Sequence, residues 1–456
     1  MTAAMTLPLS NTAFDSSDWG RQMQSFVAEL FPICRSITGD GLRETLRRIA
    51  QRVPLQIHEV PSGTPVLDWT VPKEWNIREA WVKDSSGRRV IDFALCNLHV
   101  VNYSVPVRRS MSLAELRPHL YTLPDRPDWV PYRTSYYKES WGFCLEHRVL
   151  EALPEGDYEV CIDSTLRDGH LSYGELLLPG TCPDEVLISC HVCHPSLCND
   201  NLSGIAVAAA LAQQMLAVPR RLTYRFLFVP GTIGAITWLA LHENEARYIR
   251  HGLVLAGVGD AAPLAYKKSR QGSAEIDRVM EVVLRESAKP FVIKEFSPYG
   301  YDERQYCSPG FNLAVGRLSR SAHGEFPEYH TSGDNLNFVQ AASLDASLRV
   351  CSEALSVLEN NRRYSNLSPK GEPQLGKRGL YRAIGGSDEP AKIELAMLWT
   401  LNLSDGRHSL LEIATRSGIA FSAIAEAARL LSKHGLLREE TDASDSPAIN
   451  ASREEF

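Results

Sequence analysis

Apolar positions along the chain change period several times, and each change marks a boundary. Over residues 20–50, Met23, Phe26 and Leu30, then Leu42, Leu46 and Ile49, recur at three- and four-residue spacing. That spacing predicts two helices, separated by a turn at Thr38-Gly39-Asp40-Gly41. From about Leu55 to Asp168 the texture becomes short β-branched or aromatic runs: Glu79–Lys83, Arg89–Phe93 and Tyr158–Ile162. Pro and Gly punctuate these runs, and five of the eight Trp lie among them, which predicts a small all-β unit.

From Gly174 to about Leu358, strand and helix patterns alternate. Asp184–Cys190, Thr223–Val229, Gly252–Val258 and Phe311–Val315 read as buried strands. Ser203–Ala217, Gly234–Ile249 and Ser273–Ala288 read as helices. Strands alternating with helices of 12 to 16 residues imply a mostly parallel sheet with helices on both faces, an α/β fold. Residues 361–377, with their Pro, Gly, Ser and Asn, read as a linker. Beyond them, Ala391–Leu401, a helix opened by the Ser409/Glu412 capping box and closed near Gly418, and Phe421–His434 form a helix-turn-helix, with Leu436-Leu437-Arg438 as the start of a wing.

The composition narrows the function. Of 456 residues, 44 % are apolar, enough for a large core, yet the sequence holds no apolar run long enough to span a bilayer. With 48 Lys+Arg against 55 Asp+Glu the net charge is −7, the wrong sign for non-specific nucleic-acid binding. Between Ala391 and Glu440, 6 basic residues stand against 6 acidic ones. The C-terminal helices are therefore expected to contact protein, a second copy of the chain included, rather than DNA. No export signal is visible at Met1–Gly20, so the ten Cys are expected as thiols in the cytoplasm. Cys190-x-x-Cys193 and Cys198 lack the second separated pair that a closed structural zinc site uses.

The densest group of ligand-type residues runs from His191 through Cys193, His194, Asn199, Asp200 and Asn201 to Ser203-Gly204, between the first strand of the alternating region and the next helix. Asp260 follows a later strand, and Tyr329-His330-Thr331 lies in a loop near the end of the unit. Ligands in open α/β sheets bind beyond the carboxyl ends of the strands. Two His and two Asp at such ends suit a zinc site with an open position. Taken singly, each residue has a plainer reading: Asp200 as a helix cap, His330 as a loop histidine.

At these residues the sequence resembles the co-catalytic zinc aminopeptidases. Their pattern is a His at a strand end, an Asp-Asn-x-Ser-Gly, a Glu-Glu pair, a third-strand Asp and a late Tyr-His-Thr. Here His191, Asp200-Asn201-Leu202-Ser203-Gly204, Asp260 and Tyr329-His330-Thr331 take those places. The chain resembles more closely still the bacterial aminopeptidase-like domain proteins, through Val71-Pro72-Lys73-Glu74-Trp75 and Asp302-Glu303-Arg304-Gln305-Tyr306. The resemblance implies a zinc-peptidase-like domain from residues 1–54 and 169–365, an inserted β-rich domain over 55–168, a winged helix over 375–440 and a flexible tail over 441–456. It also implies one or two Zn2+ held by His191, Asp200, Asp260 and His330, with Tyr329, Arg304 and Tyr306 on the substrate side.

Three departures bear on mechanism. The family's His-x-Asp reads His191-Val192-Cys193, so a thiol stands where a carboxylate orients the ligand His; Cys193 or His194 then becomes a candidate for the metal itself. Thr232 stands where the wider family has a ligand carboxylate, and Gly231 where it has the general base. Proton transfer would pass to Glu303, the preferred candidate, to Asp302 or to the metal's own water; Glu303 could equally be tied up with Arg304 or Arg320. The expected activity is zinc-dependent hydrolysis of an aminoacyl amide on a small substrate. Its competitors are a metal-binding pseudoenzyme and a winged-helix regulator of transcription.

Overall fold

A computed structural model describes residues 18–321, 324–380 and 388–440; the tail expected over 441–456 lies outside them. Helices α1 (Trp19–Leu30) and α2 (Asp40–Ala50) form where the apolar spacing places them. Eight strands make the central sheet: β1 (Gln56–Pro61), β2 (His170–Leu178), β3 (Glu185–His191), β4 (Thr223–Val229), β5 (Ile249–Leu255), β6 (Leu264–Lys267), β7 (Phe291–Lys294) and β8 (Val315–Ser319). Their order is β1-β2-β4-β3-β5-β8-β6-β7. The four central strands β4, β3, β5 and β8 are mutually parallel; β1 is antiparallel to β2, β2 to β4, and β6 to β8, while β7 runs parallel to β6. The connecting helices are α3 (Gly204–Leu216), α4 (Ile233–Leu241), α5 (Glu275–Glu286) and α6 (Ala341–Asn360).

Every residue of β3 and β4 is buried, as expected for strands covered on both faces. The alternation of side chains sorts them into two cores. Val186, Ile188, Cys190, Tyr224, Phe226 and Phe228 join α1, α3, α5 and α6 on one face. Leu187, Leu227 and Val229 meet Trp238 of α4, Trp75 and Tyr306 on the other. On that second face Arg225 is buried between strands, with Nε 2.7 Å from Glu185 Oε2 and a further hydrogen bond to Glu175. Trp238 lies 5.2 Å from its guanidinium and donates to Glu175.

The inserted unit is a four-stranded antiparallel sheet (Arg89–Asp92, Glu74–Lys83, Asp157–Arg167, Val107–Ser112) with its own core around Val82, Phe143 and Tyr158. It opens later than Leu55, because Gln56–Pro61 pairs with β2 as the outer strand of the central sheet.

The C-terminal unit comprises α7 (Asp388–Leu403), α8 (Leu410–Ser417) and α9 (Phe421–Lys433) with a three-stranded sheet. Ser409 and Glu412 form the capping box, and Gly418 closes α8 in the left-handed region at φ 71°. Arg363–Asn366, inside the expected linker, is the middle strand of that sheet. The unit shares the first core with α5 and α6. Among the described residues, no helix is long and apolar enough to cross a membrane. None of the ten cysteines is in a disulfide.

Candidate metal centre

Because β4, β3, β5 and β8 are parallel, their carboxyl ends open onto one edge of the sheet. His191 is the last residue of β3, and its loop returns through Asp200 into α3. The Asp-Asn-Leu-Ser-Gly run is built to hold that return. Asn201 Nδ2 donates to Leu255 O at 2.8 Å, while its Oδ1 accepts from Gly257 N and Gly204 N, both at 3.2 Å. Ser203 Oγ donates to Asn199 O at 2.7 Å and accepts from Val258 N at 3.1 Å. A Cβ on Gly204 would fall 2.4 Å from both Asn201 Nδ2 and Leu255 O, so only glycine fits. Asp334 clamps the other side, accepting from Asn199 N at 2.6 Å and Asp200 N at 2.9 Å.

The Asp200 carboxylate does not cap α3, whose first N–H, at Gly204, goes to Asn201 Oδ1 instead. It faces imidazoles instead. Its Oδ1 lies 2.8 Å from His191 Nε2, and its Oδ2 lies 3.1 Å from His330 Nε2. That second pair is close but lacks hydrogen-bond alignment, and both atoms are buried without another partner. The third imidazole is His194, its ring centroid 4.9 Å from that of His191 and 5.1 Å from that of His330. Ligating atoms of His191, His194 and Asp200 all lie within 4.8 Å of one another. Burial alone would raise the Asp200 carboxyl; the imidazoles of His194, His191 and His330 outweigh it and hold the group well below the usual carboxylate range. Burial, opposed by Asp200, pushes His194 well below the ordinary imidazole range, toward the neutral ligating form. Buried, unpartnered oxygen and nitrogen atoms converging on one carboxylate fit a divalent cation such as zinc.

The remaining candidates lie around this group. Asp260 is 2 % exposed and hydrogen-bonded on both oxygens, its Oδ2 accepting from Asn199 Nδ2 at 2.8 Å and Ser321 N at 3.1 Å, its Oδ1 from Ala262 N at 2.7 Å. Glu303 is held by Lys267 Nζ at 2.8 Å, with Arg317 at 3.6 Å, in place of the Arg304 or Arg320 partners weighed from sequence. Asp302, next to it, accepts from Thr232 N at 2.6 Å through Oδ1, leaving Oδ2 buried and unpartnered. Burial raises its carboxyl to about 6. Tyr306 lies in the core, fully buried, with its hydroxyl 2.9 Å from Ser189 Oγ. Tyr329 stacks on His330 with centroids 3.9 Å apart, and Arg304 reaches Thr232 Oγ1 at 3.4 Å.

Cys193, Gly231 and Thr232, the three positions that depart from the resembling pattern, lie together. Gly231 N donates to Cys193 Sγ at 3.2 Å, so the thiol faces the 231 position, and His191 Nδ1 is buried without a partner. Thr232, a β-branched residue, is held at φ 63°, a strained conformation that concentrates at functional sites. The inserted unit completes the wall: Tyr132 N donates to His330 O at 2.7 Å, and its ring meets His194 and His330 edge-on at 5.2 and 5.0 Å. Tyr301 stacks on His191, its ring 5.1 Å away and nearly parallel. The aromatic texture of residues 55–168 announced a β unit, but nothing in it singled out Tyr132.

Comparison with known proteins agrees with this architecture. Residues 24–361 match the family described as a domain of unknown function (DUF4910), and residues 362–439 match a winged helix-turn-helix family. A Clostridium acetobutylicum protein, whose name places it in polysaccharide biosynthesis and gives it an aminopeptidase-like domain, is 50 % identical over 424 residues, covering 93 % of this chain and 98 % of that one. A crystal structure from the same organism, titled as a peptidase, is 48 % identical with a TM-score of 0.90, covering 94 % of this chain and 99 % of that one. The zinc aminopeptidase of Bacillus subtilis shares the fold at 13 % identity, with a TM-score of 0.54 over 74 % of this chain and 94 % of that one. The chain thus belongs to the DUF4910 family of aminopeptidase-like domain proteins, built on the zinc-aminopeptidase fold with a C-terminal winged helix.

Proposed function

We propose that the chain is a zinc-dependent hydrolase that opens an aminoacyl amide bond on a small substrate. The observation that carries this reading is Asp200, set between the imidazoles of His191, His194 and His330 at the carboxyl ends of parallel strands. Zinc bound there would polarise a carbonyl and acidify water. His191, His194, Asp200 and His330 are the residues that would hold it. Tyr132, Tyr301 and Tyr329 pack against the imidazoles and exclude bulk water from the site. Asp302 is the residue best disposed to move a proton, since the Thr232 N–H fixes one oxygen and leaves the other free. Glu303, neutralised by Lys267 and Arg317, serves to anchor that loop.

The wall contributed by the inserted unit favours small substrates over folded proteins. The name of the Clostridium relative suggests an amide carried on a saccharide building block. Cysteines outside any disulfide suit a reducing, cytoplasmic setting. A second reading, a metal-binding protein without turnover, is favoured by one observation: Gly231 offers no proton acceptor.

Mass-spectrometric detection of amide cleavage across a panel of aminoacyl amides and acylated amino sugars tests the proposal. Slow cleavage is expected with zinc present, absent in Asp200→Ala. If neither the natural chain nor Gly231→Glu cleaves any member while zinc is bound, the pseudoenzyme reading takes its place.

A further inference from the structure

We infer that this centre holds one divalent ion, in a shell of His191, His194, His330 and Asp200, out of the one or two that the resemblance implies. The inference rests on the site being a metal centre, and it stands whether or not the chain hydrolyses amides. Three of these four donors are already gathered, and the fourth, His330, adjoins Asp200. Those of His191, His194 and Asp200 lie within 4.8 Å of one another. Tetrahedral zinc with nitrogen and oxygen ligands at about 2.0–2.1 Å separates its donors by roughly 3.4 Å, a contraction that side-chain adjustment supplies. His330 Nε2 is 3.1 Å from Asp200 Oδ2 with neither atom otherwise engaged, so a cation between the imidazoles and the carboxylate would satisfy both.

A second ion lacks ligands. Asp260 spends both oxygens on three N–H donors, and one of those donors, Asn199, belongs to the loop that positions Asp200. Turning Asp260 toward a metal would leave those groups unpaired in a buried framework. Thr232 brings no carboxylate, and Gly231 brings no side chain. Two dications would then face the single bridging charge of Asp200. Three imidazoles and one carboxylate instead match a single zinc, whose fifth position would take the water that hydrolysis needs. His194 thus fills the shell that the missing carboxylate leaves open. Cys193 stays outside it, with its sulfur 3.2 Å from Gly231 N and 3.8 Å from His194 Nδ1.

The full chain is stripped with a chelator, titrated with zinc by calorimetry, and its metal content measured after desalting. One zinc per chain is expected. Two per chain, or none, overturns the inference. His194→Ala and the milder His194→Gln should weaken zinc at least about 100-fold, while Asp260→Asn should keep one ion. Circular dichroism checks that each variant is folded. Full affinity in both folded His194 variants, or loss of zinc in a folded Asp260→Asn, assigns the ligands the other way and also overturns it. One bound zinc without any hydrolysis would remove the proposed function and leave this inference intact.

Discussion

Gly231 is the position where a single side chain should change the chemistry. It follows Pro230 just past the end of β4, and a Cβ built there lies 3.4 Å from Cys193 Sγ and 3.6 Å from His191 Cβ, ordinary packing distances. Its φ is not in the left-handed region, so Gly231→Glu should fold without strain. The new carboxylate would start beside the His191 ring, within reach of water over the metal centre. General acid–base help is worth about 10² to 10⁴ in rate, or roughly 3 to 5 kcal/mol of barrier. Asp302 stands close by through Thr232 N, and two carboxylates sharing a site oppose each other's ionisation, which takes back part of that gain. A rise in kcat of at least about tenfold, close to 1.4 kcal/mol, is the expected net effect. The assay is the initial rate on an aminoacyl arylamide whose released amine absorbs light, at matched zinc content. Asp302→Asn should lower the residual rate of the natural chain, yet matter less when combined with Gly231→Glu. An unchanged or lower rate in Gly231→Glu, with zinc still bound, would refute the reasoning, because the site would then not be arranged around a base at that point.

Two further outcomes follow from the fold. Arg225→Met leaves Glu185 buried without its cation and Glu175 with only His58 and the Trp238 N–H, so it should destabilise the chain by about 3 to 5 kcal/mol; an unfolding midpoint in urea that hardly moves would contradict the role given to the ion pairs. The full chain should not bind DNA at physiological salt. Charge over 391–440 is balanced, and the first turn of α9, the helix that would enter a groove, is docked on α5 through Phe421 N and Glu286 Oε1 at 2.9 Å, beside the Arg278–Glu412 pair at 3.1 Å. A tight, salt-sensitive mobility shift would overturn this and reopen the regulator reading.

What the sequence revealed and what it hid have physical causes. Thr223–Val229 is legible to the residue because a strand buried on both faces is apolar throughout. The Ser409/Glu412 capping box is legible because two reciprocal hydrogen bonds need two fixed residue types. Arg363–Asn366 escaped as part of a linker: a four-residue polar strand has no period to detect. The strand expected over Phe311–Val315 begins at Val315, because Phe311 and Leu313 pack into the second core without pairing. In the site, His191, Asp200 and His330 were readable from their places beside strands and turns, and they converge. Asp334 stood in view next to Thr331-Ser332-Gly333, but its task is to fix the backbone at Asn199 and Asp200, and clamps of that kind carry no spacing signature. Glu303 looked like a base because it is a carboxylate near the site. Its partners Lys267 and Arg317 come from β6 and β8, which only the folded sheet brings together.

X-ray absorption at the zinc edge of the loaded full chain tests the metal centre most directly. The arrangement of His191, His194, His330 and Asp200 predicts about four nitrogen or oxygen neighbours at roughly 2.0–2.1 Å, with the outer-shell scattering of imidazole rings. A sulfur neighbour at about 2.3 Å would bring Cys193 into the shell, and a second zinc at about 3.5–4 Å would restore the paired site; either result would contradict the centre described here.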